Sequence, residues 1–207
     1  MFFLPRLSTP QVGYICHGDS TTRGANASKG SLRWVSLLSA SFTPHRRIIN
    51  SGIGGTPPWE IVDRLESTPL AMRELPHIIW LGRMEVVTDA ADVYLEQVDR
   101  AWRLIPHSRK LFFTPGTGDF GSDKLGVSAH ADEIVAAKNE MLLRYPNNIL
   151  DMNQIFIDAN DGSSGDLQDV AWGIVPRSLR ADNIHNNDAG HALIAQSVFD
   201  WVLPRWD

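Results

Sequence analysis

The feature that most constrains this chain is an alternation that persists from end to end: short apolar runs separated by longer segments with helical periodicity. The runs are Val12 to Cys16, Arg46 to Asn50, His77 to Leu81, Lys110 to Thr114 and Asn148 to Met152. Each has the length of a strand covered on both faces. Between them, Leu32 to Phe42, Trp59 to Leu65, Ala91 to Ile105 and Ser128 to Tyr145 read as helices, and a last helix runs from about Asn187 to Val202. Leu95, Val98, Trp102 and Ile105 share one face of the third helix, and Ile134, Ala137, Met141, Leu142 and Tyr145 one face of the fourth. Pro106 and Pro146 punctuate the ends of these two. Strands alternating with helices predict an α/β fold built on a mostly parallel, five-stranded sheet. With no internal repeat and no linker, the 207 residues are expected to form one domain spanning 1–207.

Composition then removes whole classes of function. At 43% hydrophobic and 21% charged residues the chain is far from disordered sequences. A net charge of -5, with Lys and Arg scattered, gives no surface for nucleic acid. No apolar run approaches the ~18 to 20 residues of a membrane span. The lone Cys16 lies inside the first apolar run, where it reads as a small hydrophobe, and excludes both an internal disulfide and a multi-cysteine metal site. The opening "MFFLPRL" is interrupted by Pro5 and Arg6 too early for a secretory signal of ~15 to 30 residues. The chain is therefore expected in the cytoplasm unless an exported form has lost its leader.

In an open parallel sheet the ligand crevice lies outside the carboxyl ends of the strands. The segments at those ends are "HGDSTTRG" after the first strand, "NSGIGGTPP" after the second and "GRMEVV" after the third, with "ADNIHNNDAGH" before the final helix. A further polar stretch between Phe156 and Arg180, containing "IDANDGSSGDLQD", reads as a long connection of the kind that carries function or moves.

These segments hold the parts of nucleophilic catalysis: a hydroxyl, a base to take its proton, a group to hold the base, and donors for an oxyanion. Ser20 sits at a strand-to-helix turn, where its hydroxyl stands clear of the sheet. His185 is the base candidate, with Asp182 three residues earlier, within reach of the imidazole through a local turn. Each has a plainer reading as well: Ser20 as a turn residue, and His185 and Asp182 as capping residues of the last helix. His17 reads as structural, and His191 as helix packing or surface. "NSGIGGTPP" fits an oxyanion donor, a phosphate cradle or a simple turn. It matches neither G-x-G-x-x-G nor the P-loop spacing.

Taken together and in order, these segments resemble the SGNH (GDSL) hydrolases, a family of esterases and lipases with a flavodoxin-like, three-layer α/β/α sandwich. The likeness runs from Val12 to about Val202. It places the family's serine on Ser20 within Gly18-Asp19-Ser20, with Gly24 following, and its oxyanion glycine on Gly55 rather than Gly52 or Gly54. It places the catalytic Asp and His on Asp182 and His185. In the third block the chain departs from the pattern. Where the family has Gly-x-Asn-Asp, this sequence reads Gly82-Arg83-Met84-Glu85, and the Met84 thioether has no N–H to offer an oxyanion. Losing one such donor typically costs ~10²- to 10³-fold in turnover. Arg83 is a candidate to supply a compensating charge, against a solvated side chain or a salt bridge to Glu85.

The resemblance implies a serine esterase that removes a short acyl group such as acetyl from a carbohydrate or other small ester, with no metal or organic cofactor. Ser20 and Gly55 would be the remaining oxyanion donors. Trp59 and Trp172 are candidates to stack on a sugar ring, against ordinary packing. The alternative is a binding module on the same fold that recognises acylated glycans, its turnover disabled at Met84. A flavodoxin-like binder of small molecules or phosphate, with Ser20 as a cap, is a third.

Overall fold

A computed structural model describes residues 12–83 and 91–206. The chain order is β1 (Val12–Gly18), α1 (Ser20–Arg23), α2 (Trp34–Ser41), β2 (Arg47–Gly52), α3 (Pro58–Glu66), α4 (Leu70–Arg73), β3 (His77–Ile79), α5 (Ala91–Leu104), β4 (Lys110–Phe113), α6 (Ala129–Arg144), β5 (Ile149–Leu150), α7 (Met152–Asp158), α8 (Ser164–Ala171) and α9 (Asp188–Trp206). The strands form one five-stranded sheet in the order β2-β1-β3-β4-β5. Every neighbouring pair is parallel, with Cys16 opposite Asn50 and Ile78, Ile78 opposite Leu111, and Phe113 opposite Leu150.

The period-2 alternation of side chains along each strand supplies two cores. On one face Tyr14, Cys16, Ile78, Trp80, Leu111 and Phe113 pack against α2, α7 and α9. On the other, Ile79, Leu81 and Phe112 meet Ile61 and Leu65 of α3, Val98 of α5 and Met141 of α6. This is the three-layer α/β/α sandwich with an open parallel sheet. Cys16 is fully buried, and burial pushes its thiol far above the ordinary value.

Several element boundaries depart from the periodicity, β3 ending at Ile79 and α9 running on to Trp206 among them, and three departures bear on the course of the chain. The segment Asn148 to Met152 pairs only over Ile149–Leu150, because the Asp151 carboxylate accepts the Gln154 N–H at 3.1 Å and starts α7 there. The helix expected from Leu32 begins at Trp34, after a short 3-10 turn over Gly30–Leu32. The stretch expected to be a long connection contains α8. The Ser163 hydroxyl caps that helix by accepting the Asp166 N–H at 3.2 Å, and the helix is anchored by buried Asp166 and Asp169 rather than by an apolar stripe.

The strand order reverses at β1, with β2 on one side and β3 on the other. Such a switch point opens a crevice at the carboxyl ends of the central strands. Ser20, Gly55 and Gly82 all follow those ends.

Candidate active site

The turn that carries Ser20 is built by close packing. Asp19 is the N-cap of α1, its Oδ1 accepting the Thr21 N–H at 2.8 Å, and Gly24 closes the helix in the left-handed region at φ 87°. A Cβ on Gly52 would lie 2.2 Å from the Arg23 nitrogen, so the end of β2 can lie against the backbone of α1 only without a side chain. Asn50 completes the join, donating from Nδ2 to the Thr22 carbonyl at 2.9 Å. Gly82, at φ +80°, lets the chain leaving β3 pass the Asp19 carboxylate, whose Oδ2 would stand 2.5 Å from a Cβ there.

Ala181 to His185 forms a tight turn whose two ends are joined by an Ala181 N–H to His185 carbonyl bond of 2.8 Å. Asp182 Oδ1 accepts the backbone N–H groups of Ile184 and His185, both at 2.7 Å. Its Oδ2 lies 2.9 Å from His185 Nδ1, and His185 Nε2 lies 2.9 Å from Ser20 Oγ. A carboxylate only accepts, so the imidazole hydrogen sits on Nδ1 and the Nε2 lone pair faces the Ser20 hydroxyl. Burial opposes the charge on Asp182, but the His185 N–H, the His185 ring and the Ile184 N–H outweigh it. Together they hold the carboxyl well below the usual range. Ser20 from one segment and Asp182 and His185 from another thus form one hydrogen-bonded chain.

Asn26 was not anticipated. Its Nδ2 donates to Asp182 Oδ2 at 2.7 Å, the same oxygen that faces His185. It adopts φ 62°, a conformation that Asn tolerates better than most residues. The only sequence signal is an Asn within a Gly- and Ser-containing loop, which is commonplace. The same loop is held on both sides of Asn26: His191 Nε2 lies 3.0 Å from the Ala25 carbonyl, and the Ser28 N–H and hydroxyl both donate to Asp188. His191 is therefore a buried packing residue. His17 is buried inside the sheet against His77.

Among the three glycines considered after β2, Gly52 already gives its N–H to Asn50 Oδ1 at 2.9 Å. Gly54 packs on the Arg23 guanidinium. Gly55 is exposed, at φ +76°, and its N–H has no hydrogen-bond partner among the described residues. Met84 and Glu85 lie outside the described residues. Arg83 donates from Nε and Nη2 to the buried Asp123 at 3.1 and 2.7 Å, so its charge is matched by that carboxylate. Trp59 is half-exposed in the first turn of α3, just beyond the Gly55 loop. One face of Trp172 is covered by the Lys124 ammonium, 3.9 Å from the ring centroid. Among the described residues, no three His, Cys, Asp or Glu side chains are grouped as a metal would need.

No protein-family model matches the chain, and no curated protein matches it in sequence. Solved structures do match it in shape. A lipase/acylhydrolase from Enterococcus faecalis superposes with a TM-score of 0.71 at 16% identity, covering 94% of this chain and 97% of that one. A lipolytic G-D-S-L family protein from Veillonella parvula DSM 2008 gives 0.68 at 18% identity, covering 95% and 98%. An acetyl xylan esterase gives 0.65 at 17% identity, covering 92% and 100%. The five-stranded parallel sheet, with its crevice at the ends of β1, β2 and β3, is thus the fold of the lipolytic G-D-S-L proteins.

Proposed function

We propose that this chain is a serine ester hydrolase of the G-D-S-L type that cleaves esters of short acyl groups of about acetyl size, with an acylated carbohydrate as the substrate class. The observation that carries the reading is the chain from Ser20 Oγ through His185 to Asp182, each link 2.9 Å long. Similarity in fold to an acetyl xylan esterase supports the choice of substrate class.

In this reading Ser20 Oγ bonds to the ester carbonyl carbon while its proton passes to His185 Nε2. The tetrahedral oxyanion takes hydrogen bonds from the Ser20 and Gly55 N–H groups. As it collapses the carbon–oxygen bond to the alcohol breaks, and the alcohol leaves with the proton from His185. Water then adds to the acyl-enzyme, giving one proton to His185, which returns it to Ser20 Oγ as the carboxylic acid departs. Asp182 stays ionised, fixes the ring tautomer and balances the imidazolium charge.

Met84, in place of the family's asparagine, favours a second reading in which the site binds an acylated glycan without turning it over. Hydrolysis of p-nitrophenyl acetate by the native protein, Ser20→Ala and Met84→Asn separates the two. The esterase reading expects turnover that Ser20→Ala abolishes and that Met84→Asn raises by up to ~10²-fold. A silent native protein with an active Met84→Asn variant would support the binding module, and silence in all three would remove the esterase reading.

A further inference from the structure

The flank of the crevice that carries Ser20 is positively charged in an acidic chain. From Ser20 to Trp59 there are five Arg and Lys and no Asp or Glu, although the whole chain has a net charge of -5. This stretch runs through α1, α2 and β2 to the loop of Gly55 and the start of α3. The carboxylates beside it are already engaged. Asp19 caps α1, Asp182 accepts from four donors, and Asp188 accepts from Ser28.

Of the five cations, Arg23 stands three residues after Ser20 in α1, and residues at that spacing have Cβ atoms about 5 to 6 Å apart. Its side chain crosses to the loop after β2. A Cβ on Gly54 would lie 3.1 Å from Arg23 Cζ and Nη2 and 3.3 Å from Nη1, so the guanidinium rests with its face on that glycine, one residue before Gly55. The side chain is exposed and makes no hydrogen bond or ion pair among the described residues. Arg83 and Arg180, by contrast, each hold a buried carboxylate. With one face on Gly54, the Arg23 guanidinium turns its N–H edge to solvent, and that edge is a fork matched to a carboxylate.

We propose that Arg23 binds a carboxylate carried by the alcohol part of the substrate, so that the preferred substrates are acetyl esters of acidic sugars. The inference rests on the ester-hydrolase reading and deepens it. An acetyl group has no place for the charge, which puts it on the sugar. One guanidinium balances the single charge of a carboxylate, whereas a phosphate monoester carries about -1.5 to -2. Trp59, half-exposed just beyond the same loop, leaves a flat apolar surface for the ring that bears the charge.

The test compares 3- and 4-acetoxybenzoate with the matching acetoxybenzamides, in which a neutral amide of similar size replaces the carboxylate. The two isomers hold the charge at different distances from the ester. Each kcat/KM is divided by the rate constant for hydroxide-catalysed hydrolysis of the same ester, taken at high salt so that repulsion between hydroxide and benzoate is screened. At low ionic strength the corrected ratio of benzoate to benzamide is expected to reach about tenfold for the better isomer. Raising NaCl to about 1 M, where the screening length is about 3 Å, should lower it toward one. Arg23→Gln should bring it to one or below, and this exchange removes no hydrogen bond from the fold. A native ratio at or below one for both isomers, with Ser20-dependent turnover of the benzamides, would overturn this proposal alone. A high ratio that Arg23→Gln leaves unchanged would overturn the assignment to Arg23. Absence of Ser20-dependent turnover with every ester removes the hydrolase reading and this proposal together.

Discussion

Asp182 is held by four donors: the backbone N–H groups of Ile184 and His185, the His185 ring and the Asn26 amide. Two of these, Asn26 and the ring, share Oδ2, so Asn26 draws on the electron density that holds His185. Asn26→Gly keeps the left-handed backbone and removes only the donor. With one donor fewer the Asp182 carboxylate is less firmly oriented toward His185, and kcat/KM for p-nitrophenyl acetate should fall by about tenfold with the protein still folded. An unchanged kcat/KM would show that Asn26 plays no part in positioning Asp182. The contrast between these residues shows what sequence can carry. Asp182 and His185 lie three apart, and a turn was enough to join them on paper. Asn26 reaches Asp182 across 156 positions. Nothing local distinguishes it from any other loop asparagine.

At the scale of elements, α8 shows how a polar segment becomes ordered. Leu167, its one leucine, is 53% exposed, while Asp166 and Asp169 are fully buried. Asp169 accepts from the Arg177 N–H at 2.8 Å and from the guanidinium groups of Arg177 and Arg180. Arg180 also reaches Asp119 and stands two residues before Asp182, so this network leads directly into the turn that holds His185. Asp169→Asn should leave the Arg180 charge poorly compensated and destabilise the protein by ~3 kcal/mol, read as a lower urea midpoint. It should also lower kcat/KM, because the 180–185 segment loses its anchor. A midpoint unchanged within error would show that the buried pairing is dispensable. The periodicity of apolar residues located α3, α5, α6 and α9, whose buried faces repeat at helical spacing. It was blind to α8, whose burial is carried by carboxylates with partners eight to twelve residues away.

For the molecule as a whole, the sheet carries an acid-sensitive pair in its middle. His17 of β1 and His77 of β3 face each other, with Nε2 and Nδ1 3.1 Å apart. Burial first, then the charges of His77 and Arg64, lowers His17 from 6.5 to about 3. Burial first, then His107, lowers His77 to about 4. Between 6.5 and those values the unfolded chain binds protons that the folded chain refuses. Their contribution is therefore complete above pH 6.5 and is lost as pH falls toward 4. Each ring should contribute a slope of up to about 1.4 kcal/mol per pH unit within its window. Urea unfolding at several pH values checks this, and a flat stability between pH 6.5 and 4.5 would contradict it. The pair was not legible in advance, because His17 and His77 are 60 residues apart and meet only when β1 and β3 align in register. By itself the sequence determined the α/β class, the approximate strands and long helices, and the three residues of the Ser20–His185–Asp182 chain, because apolar period and short motifs are local signals. The tertiary structure alone decided the all-parallel strand order, the anchoring of α8, the place of Asn26 and Arg83, and the pairing of His17 with His77. Those depend on contacts between residues far apart in the chain, whose chemistry is unremarkable until folding removes the water between them.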